Sequence, residues 1–239
     1  MTAKPESSLR DTETNERLYV RVSHDIKRYL LAQNLVEGDR LPSETELSKE
    51  LGVSRATIRE AIVALEVSGI LAVKRNFGAV VLNLSEELPP QVISSEAGPF
   101  EQIQVRMLLE PEAARLAALN RTTRQCDGME QAIEMMVGEN QAGFTSEEGD
   151  MQFHLIIAKA SKNSLLQSHI ESLWEMRHKG KLWPQLQRSV DLNVTRTRAV
   201  FQHMRILEAV RSQNAERARQ MMKEHLLSVQ AELESTINE

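Results

Sequence analysis

The chain has 239 residues, 41% hydrophobic and 26% charged, with ten Met and only 4% aromatics, a composition that leans towards helix and a length that suits two domains with separate cores. No apolar run approaches the roughly eighteen residues of a membrane span, and the polar start resembles neither a signal nor a transit peptide. Without a span or a targeting pattern a cytoplasmic protein is expected, and the single cysteine, Cys126, excludes an intramolecular disulfide and a Cys-based zinc knuckle.

The formal net charge of −5 does not argue against a nucleic-acid partner, because DNA feels only the patch that faces it. Residues 1–85 carry twelve Lys plus Arg against twelve Asp plus Glu, so the whole excess of acid lies further on.

Residues 1–16 are polar and unpatterned and read as a flexible tail. Val22, Ile26, Tyr29 and Leu30 then recur at helical spacing, and Gly38 is expected to close that first helix. In Ser43-Glu44-Thr45-Glu46 the serine can cap a helix start while Glu46 returns the bond, which predicts a capping box. Leu47 and Leu51 give this second helix an apolar side, Gly52 ends it, and Ser54 can cap a third helix running through Ile58, Ile62 and Leu65 to Ser68. Two short helices joined by a Gly-containing turn make a helix-turn-helix. After Gly69 the period falls to two, with Ile70–Val73 and Ala79–Leu82 flanking a turn at Lys74 to Gly78, which predicts a hairpin in the position of a wing. The winged unit is expected over residues 17–84.

Pro89, Pro90, Gly98 and Pro99 mark a linker over residues 85–100. Beyond it, residues 101–239 read as all-helical. Six helices are predicted, at Phe100–Asn120, Arg124–Asn140, Ser146–Ser161, Ser164–Lys179, Leu192–Ser212 and Ala215–Ile237, with a kink at Pro111.

A third helix of this kind enters the major groove with its first residues at the base edges. Those residues are Ser54, Arg55, Ala56, Thr57 and Arg59. Arg55 can form two parallel bonds to guanine, and Arg59 can serve base or phosphate. The hydroxyls of a capped helix start suit phosphate. An isolated basic turn would mean little; cap, Gly turn, second cap and basic-tipped hairpin in close succession point to DNA.

Leu41-Pro-Ser-Glu-x-Glu-Leu, Leu51-Gly-Val-Ser-Arg-Ala-Thr-Ile-Arg-Glu-Ala and Leu65-Glu-x-x-Gly-Ile-Leu closely resemble the GntR family of bacterial winged-helix regulators over about residues 17–82. Two positions depart from the family pattern. Thr45 stands where relatives often carry a DNA-contacting Arg, and the wing turn reads Arg75-Asn76-Phe77-Gly78, in which Asn76 tolerates a positive φ. The resemblance makes Thr45, Arg75 and Asn76 further candidate DNA contacts.

In the helical part, Asp150 and His154 lie four apart, so they leave one face of a helix and can share a cation. His203 sits with Ile206 and Leu207 on a later helix, and His225 with Met221, Met222 and Leu226 on the last. One Asp with three His suits Zn, Ni or Mn better than Ca or Mg; spacing alone leaves open whether they converge. The set resembles the metal-binding pattern of the FCD ligand-binding domain that accompanies one GntR subfamily, together with Arg106-x-x-x-Glu110-Pro111 and Asn163. In that subfamily the metal helps hold an acidic effector by its carboxylate; Arg106 and Arg177 are the candidate anion partners here.

Gly98-Pro-Phe-Glu, Asp150-Met-Gln-Phe-His, Leu173-Trp-Glu-Met-Arg and Leu182-Trp-Pro-Gln-Leu further resemble the repressors of hexuronate utilisation. The expected protein is mainly α, a winged helix-turn-helix followed by a bundle of six to seven helices. It is expected to be a homodimeric repressor on palindromic double-stranded operator DNA, released by a small carboxylate such as a hexuronate or a derived sugar acid. Trp174 and Trp183 fit a pocket or its lid. Two alternatives remain: a metal-free site for an acyl-type effector, and a metal-dependent hydrolase, for which no nucleophile motif or phosphate loop is present.

Overall fold

Tyr19, Val20, Val22, Ile26 and Leu30 are buried along one face of α1 (Leu18–Ala32), the face that the helical spacing selects. The computed structural model describes residues 17–74, 77–84, 97–143, 147–187 and 192–235, so the expected tail, the wing-tip residues Arg75 and Asn76 and most of the expected linker lie outside them. Gly38 does not end α1. Asn34 does so in the left-handed region (φ 56), with the Leu35 N–H bonded to the Leu30 carbonyl at 3.1 Å. Gly38 (φ +91) instead donates its N–H to Val81 and ties the loop to the hairpin.

The caps of the next two helices are formed as their local chemistry requires. In α2 (Glu44–Leu51) the Ser43 hydroxyl accepts from the Glu46 N–H at 3.2 Å, and the Glu46 carboxylate accepts from the Ser43 N–H at 2.8 Å. Gly52 closes α2 at φ 67, and Ser54 accepts from the Thr57 N–H at 3.1 Å to open α3 (Arg55–Val67). Each such cap stabilises its helix by about 1 kcal/mol. Strands β1 (Leu71–Lys74) and β2 (Gly78–Val81) pair antiparallel with Leu71 opposite Val81, one residue off the expected spans. Arg40 adds an isolated bridge to Val80.

The remaining helices are α4 (Pro99–Asn120), α5 (Thr123–Ala142), α6 (Glu148–Ala160), α7 (Ser164–Lys179), α8 (Leu182–Gln187), α9 (Leu192–Arg211) and α10 (Ala215–Ser235). Helix α4 continues through Pro111 as one element. Helix α8 was absent from the expected set. It is too short to display a period, and Pro184 sits in its first turn, where a missing N–H has no partner to lose.

Helix α4 packs along α10, and α5 lies against α6 and α9. At the α5/α6 crossing a Cβ on Gly149 would stand 2.7 Å from the Met136 nitrogen and 2.8 Å from the Ala132 oxygen, so only glycine allows this approach of backbones. The next residue, Asp150, is thereby set at the centre of the bundle.

Two apolar clusters form. One holds Phe153, Ile157, Trp174, Ile206, Met222 and their neighbours in the bundle. The other joins α1, α3 and the hairpin to Phe100, Ile103, Leu182, Trp183, Leu186 and Leu233 from the helical part. As a result α3 is covered on both sides, and every residue from Thr57 to Leu65 is buried.

Candidate metal centre and DNA-reading face

Asp150 and His154 on α6, His203 on α9 and His225 on α10 converge, with one ligand atom of each within 4.8 Å of all the others. All three imidazoles are buried, and their outer nitrogens are engaged. His203 Nδ1 lies 2.7 Å from the Ala199 carbonyl, His225 Nδ1 lies 3.0 Å from Gln202 Oε1, and His154 Nδ1 lies 2.6 Å from Glu110 Oε2. With Nδ1 of His203 and of His225 donating to oxygen and that of His154 facing the Glu110 carboxylate, a neutral ring at each position would carry its proton outward and turn a bare Nε2 inward.

The inward atoms then face one another as acceptors. His203 Nε2 is 3.2 Å from His154 Nε2 and 3.0 Å from Asp150 Oδ1, which is buried without a donor. Four converging lone pairs with no shared proton are what a divalent cation requires, so the donor set fits Zn or a similar transition metal. Such a cation would be held by Asp150, His154, His203 and His225 and would supply a Lewis-acid position for a carboxylate.

Protons compete with a cation for these atoms: burial would lower His154, but the Glu110 charge and bonds to Asp150 and Glu110 raise it above its ordinary pKa. Burial and the neighbouring His203 and His154 push His225 well below its ordinary pKa, which keeps it neutral. Burial would raise Asp150, but when the inward nitrogens of His154 and His203 carry protons in place of a cation, their bonds and charge outweigh it and hold the carboxyl well below the usual range. Behind His154, burial opposes ionisation of Glu110, yet Arg106 and His154 overcome it and keep the carboxylate charged.

Arg106 spends two nitrogens on Glu110, at 2.6 and 3.2 Å, and lies behind His154 rather than on the wall of the adjoining cavity. Arg177 does line that cavity, reaching Glu147 at 2.5 Å and Asp150 Oδ2 at 3.5 Å. The two arginines and two tryptophans form one stack. Arg106 lies 4.3 Å and Arg177 4.5 Å from the centre of the Trp174 ring, and Arg177 also lies 4.1 Å from that of Trp183. Arg106 Nη1, Arg177 Nε and both indole N–H groups are buried without a hydrogen-bond partner, donors suited to an anion. The cavity, about 100 Å³, is also walled by His225, Glu139, Glu232 and Leu233.

On the candidate DNA-reading face Thr45, Ser54 and Arg55 are exposed and Ala56 is half-buried. Thr57 is tied down, its hydroxyl 2.8 Å from that of Ser54. Arg59 departs from the expectation of an open basic contact, being 1% exposed. Its Nε and Nη2 bind Glu44 at 3.0 and 2.6 Å, and its Nη1 donates to the Leu233 carbonyl at 3.2 Å.

Three residues that the sequence did not single out belong here. Exposed Arg40 lies 5.4 Å from the Phe77 ring beside the wing. Glu147 partners Arg177, and Glu60 on α3 accepts the Phe100 N–H at the start of α4, at 2.8 Å. Only Glu60 left a trace in the sequence, as a carboxylate on the inner half of a reading helix.

A winged helix-turn-helix ahead of a helical bundle is the architecture of a DNA-binding regulator. Residues 18–81 match the family described as bacterial regulatory proteins, gntR family, and residues 101–228 match the FCD domain. The chain belongs to the GntR family, in its FCD-containing form, and is a transcriptional regulator rather than an enzyme. It is 34% identical to the Uxu operon transcriptional regulator of Escherichia coli (strain K12), over 94% of this chain and 90% of that protein. It is 31% identical to the Exu regulon transcriptional regulator of the same strain, over 88% and 82%. It is 32% identical to the HTH-type transcriptional regulator LutR of Bacillus subtilis (strain 168), over 82% and 92%. Among solved structures, that of Listeria monocytogenes Lar gives a TM-score of 0.50 at 17% identity, covering 91% of this chain and 97% of that one; the likeness is one of fold. No described helix is long and apolar enough to cross a membrane.

Proposed function

We propose that this regulator is a repressor whose operator affinity falls when a small hydroxylated carboxylate, a hexuronate or a sugar acid derived from one, binds beside a divalent metal in the helical domain. The observation that carries this reading is the set of bare Nε2 atoms and the buried Asp150 oxygen beside a cavity that also presents Arg177. A carboxylate takes the open position of the cation and the neighbouring guanidinium. The cavity's carboxylates and the Trp183 indole on its wall suit the hydroxyls of a sugar acid better than an acyl chain. The Uxu and Exu names of similar proteins favour the same ligand class.

Zn is the first choice of metal, with Ni or Mn as alternatives. Arg177 is the nearer anion partner and Arg106 the second. Thr45, Ser54, Arg55, Ala56 and Thr57, with Arg75 and Asn76 of the wing, form the DNA contact set, Arg55 reading bases. A homodimer presenting two such helices would read a palindromic operator.

A thermal-shift screen of sugar acids, with and without chelator, tests the ligand class and the metal together, since a ligand of the folded state raises its apparent stability. The expected result is stabilisation by one class of sugar acid that chelation abolishes. Stabilisation by acyl compounds, indifferent to chelator, would instead support a metal-free effector site.

A further inference from the structure

Arg59 follows Arg55 by one helical turn, so both leave the same face of α3, yet Arg55 is exposed and Arg59 is covered. Glu44 of α2 holds its Nε and Nη2, and the helical domain completes the cover with the Leu233 carbonyl at 3.2 Å and the Phe100 ring, 5.9 Å from the guanidinium. Leu233 also forms part of the cavity wall. Trp183 has the same double position. It lines the cavity in the stack with Arg177, and it belongs to the apolar cluster around α3, on which α8 packs. The cavity and the cover on the reading helix therefore share two walls.

We propose that Arg59 is a switched DNA contact: it exchanges between an operator phosphate and the Leu233 carbonyl, and the occupant of the cavity decides which partner it holds. This rests on the reading that the cavity takes an effector. A ligand touching Leu233 and Trp183 is bound only while α8 and the end of α10 stand against α3, so it favours the state in which Arg59 is held. A duplex that engages the whole face of α3 needs those elements displaced. Each ligand then weakens the other by the same factor.

Hydrogen exchange on the full-length, metal-loaded protein tests the proposal. The probes are a duplex carrying the promoter upstream of the chain's own gene and a panel of sugar acids. Duplex binding is expected to speed exchange several-fold in α8 and in the last turn of α10, and an effective sugar acid to slow it. Arg59→Lys keeps a charge for phosphate but lacks the fork that spans Glu44 and Leu233. It should show fast α8 exchange without DNA and a several-fold smaller loss of operator affinity on adding effector. Arg55→Ala, at an exposed position, should leave α8 exchange in the free protein as in wild type.

Unchanged or slower exchange of α8 and the α10 end on DNA binding would overturn the proposal, as would a full effector response in Arg59→Lys. If no sugar acid alters exchange or operator affinity, the effector reading fails, while the duplex arm still decides whether Arg59 is switched.

Discussion

The carboxylate of Glu110 stands 2.6 Å from Nδ1 of His154 and is itself gripped by Arg106 at 2.6 Å. This pair fixes which nitrogen of His154 faces the cluster, and it makes the imidazole a stronger donor to a metal. Glu110→Gln is therefore expected to lower metal affinity about 10- to 100-fold, measured by competition with a chromogenic chelator on protein checked for native circular dichroism. An unchanged affinity would mean that Glu110 serves only to pair Arg106.

Gly149 brings the same cluster together from a different side. A methyl group there would press on backbone atoms of Met136 and Ala132 at 2.7 and 2.8 Å, neither of which can swing aside. Gly149→Ala should cost about 1–3 kcal/mol through overpacking and lower the melting temperature. Because Asp150 follows directly, metal should also bind more weakly. A variant that melts with wild type and binds metal equally well would contradict this view of the α5/α6 crossing.

Glu60 links the reading helix to the start of α4, and its carboxylate oxygen stands where a Cβ on Gly98 would come within 2.3 Å. Burial raises Glu60 from 4.5 to about 7, while bonds from the Phe100 and Glu101 backbone oppose the shift and the Glu101 charge adds to it. The folded state thus holds the proton more tightly than the unfolded chain does. Relative to a neutral side chain, the group's contribution is most favourable at low pH and declines as pH rises from about 4.5 to 7. Above that range a cost on the order of 3 kcal/mol is fully present. Glu60→Gln stays neutral throughout. Between pH 5 and pH 8 wild type should lose about 5–10 °C of melting temperature relative to this variant, and a constant difference across that range would refute the assignment.

The parts of the molecule that could be read in advance are those whose cause is local. The two serine caps and the Gly52 turn each depend on neighbours within three residues, and the shared face of Asp150 and His154 follows from helix geometry alone. That His203 and His225 join them depends on how α9 and α10 pack, which spacing does not encode and which the family resemblance anticipated. The cover on Arg59 arises from Leu233, 174 residues away, and no local pattern announces it. Helix α8 escaped notice because six residues hold less than two turns. That Arg106 holds Glu110 with two nitrogens while Arg177 lines the cavity depends on how the helices pack, which the spacing of either arginine does not encode.

Arg55, exposed at the first position of α3, is the residue proposed above for base readout. Arg55→Ala is expected to lose about 1–3 kcal/mol of specific operator affinity. Salt-sensitive binding to unrelated duplex should remain, because phosphate contacts from other cations persist. Fluorescence anisotropy with operator and scrambled duplexes across a salt series checks this; an equal loss on both would assign Arg55 to the backbone.

The most direct measurement is the operator affinity of the metal-loaded protein with and without a sugar acid, compared between wild type and His154→Ala. Wild type should bind its operator at least about tenfold more weakly, roughly 1.4 kcal/mol, when the effective sugar acid saturates it. His154→Ala should bind operator and ignore the sugar acid. Equal operator affinity with and without every sugar acid tested, or a full response from His154→Ala, would contradict a carboxylate switch built on this cluster.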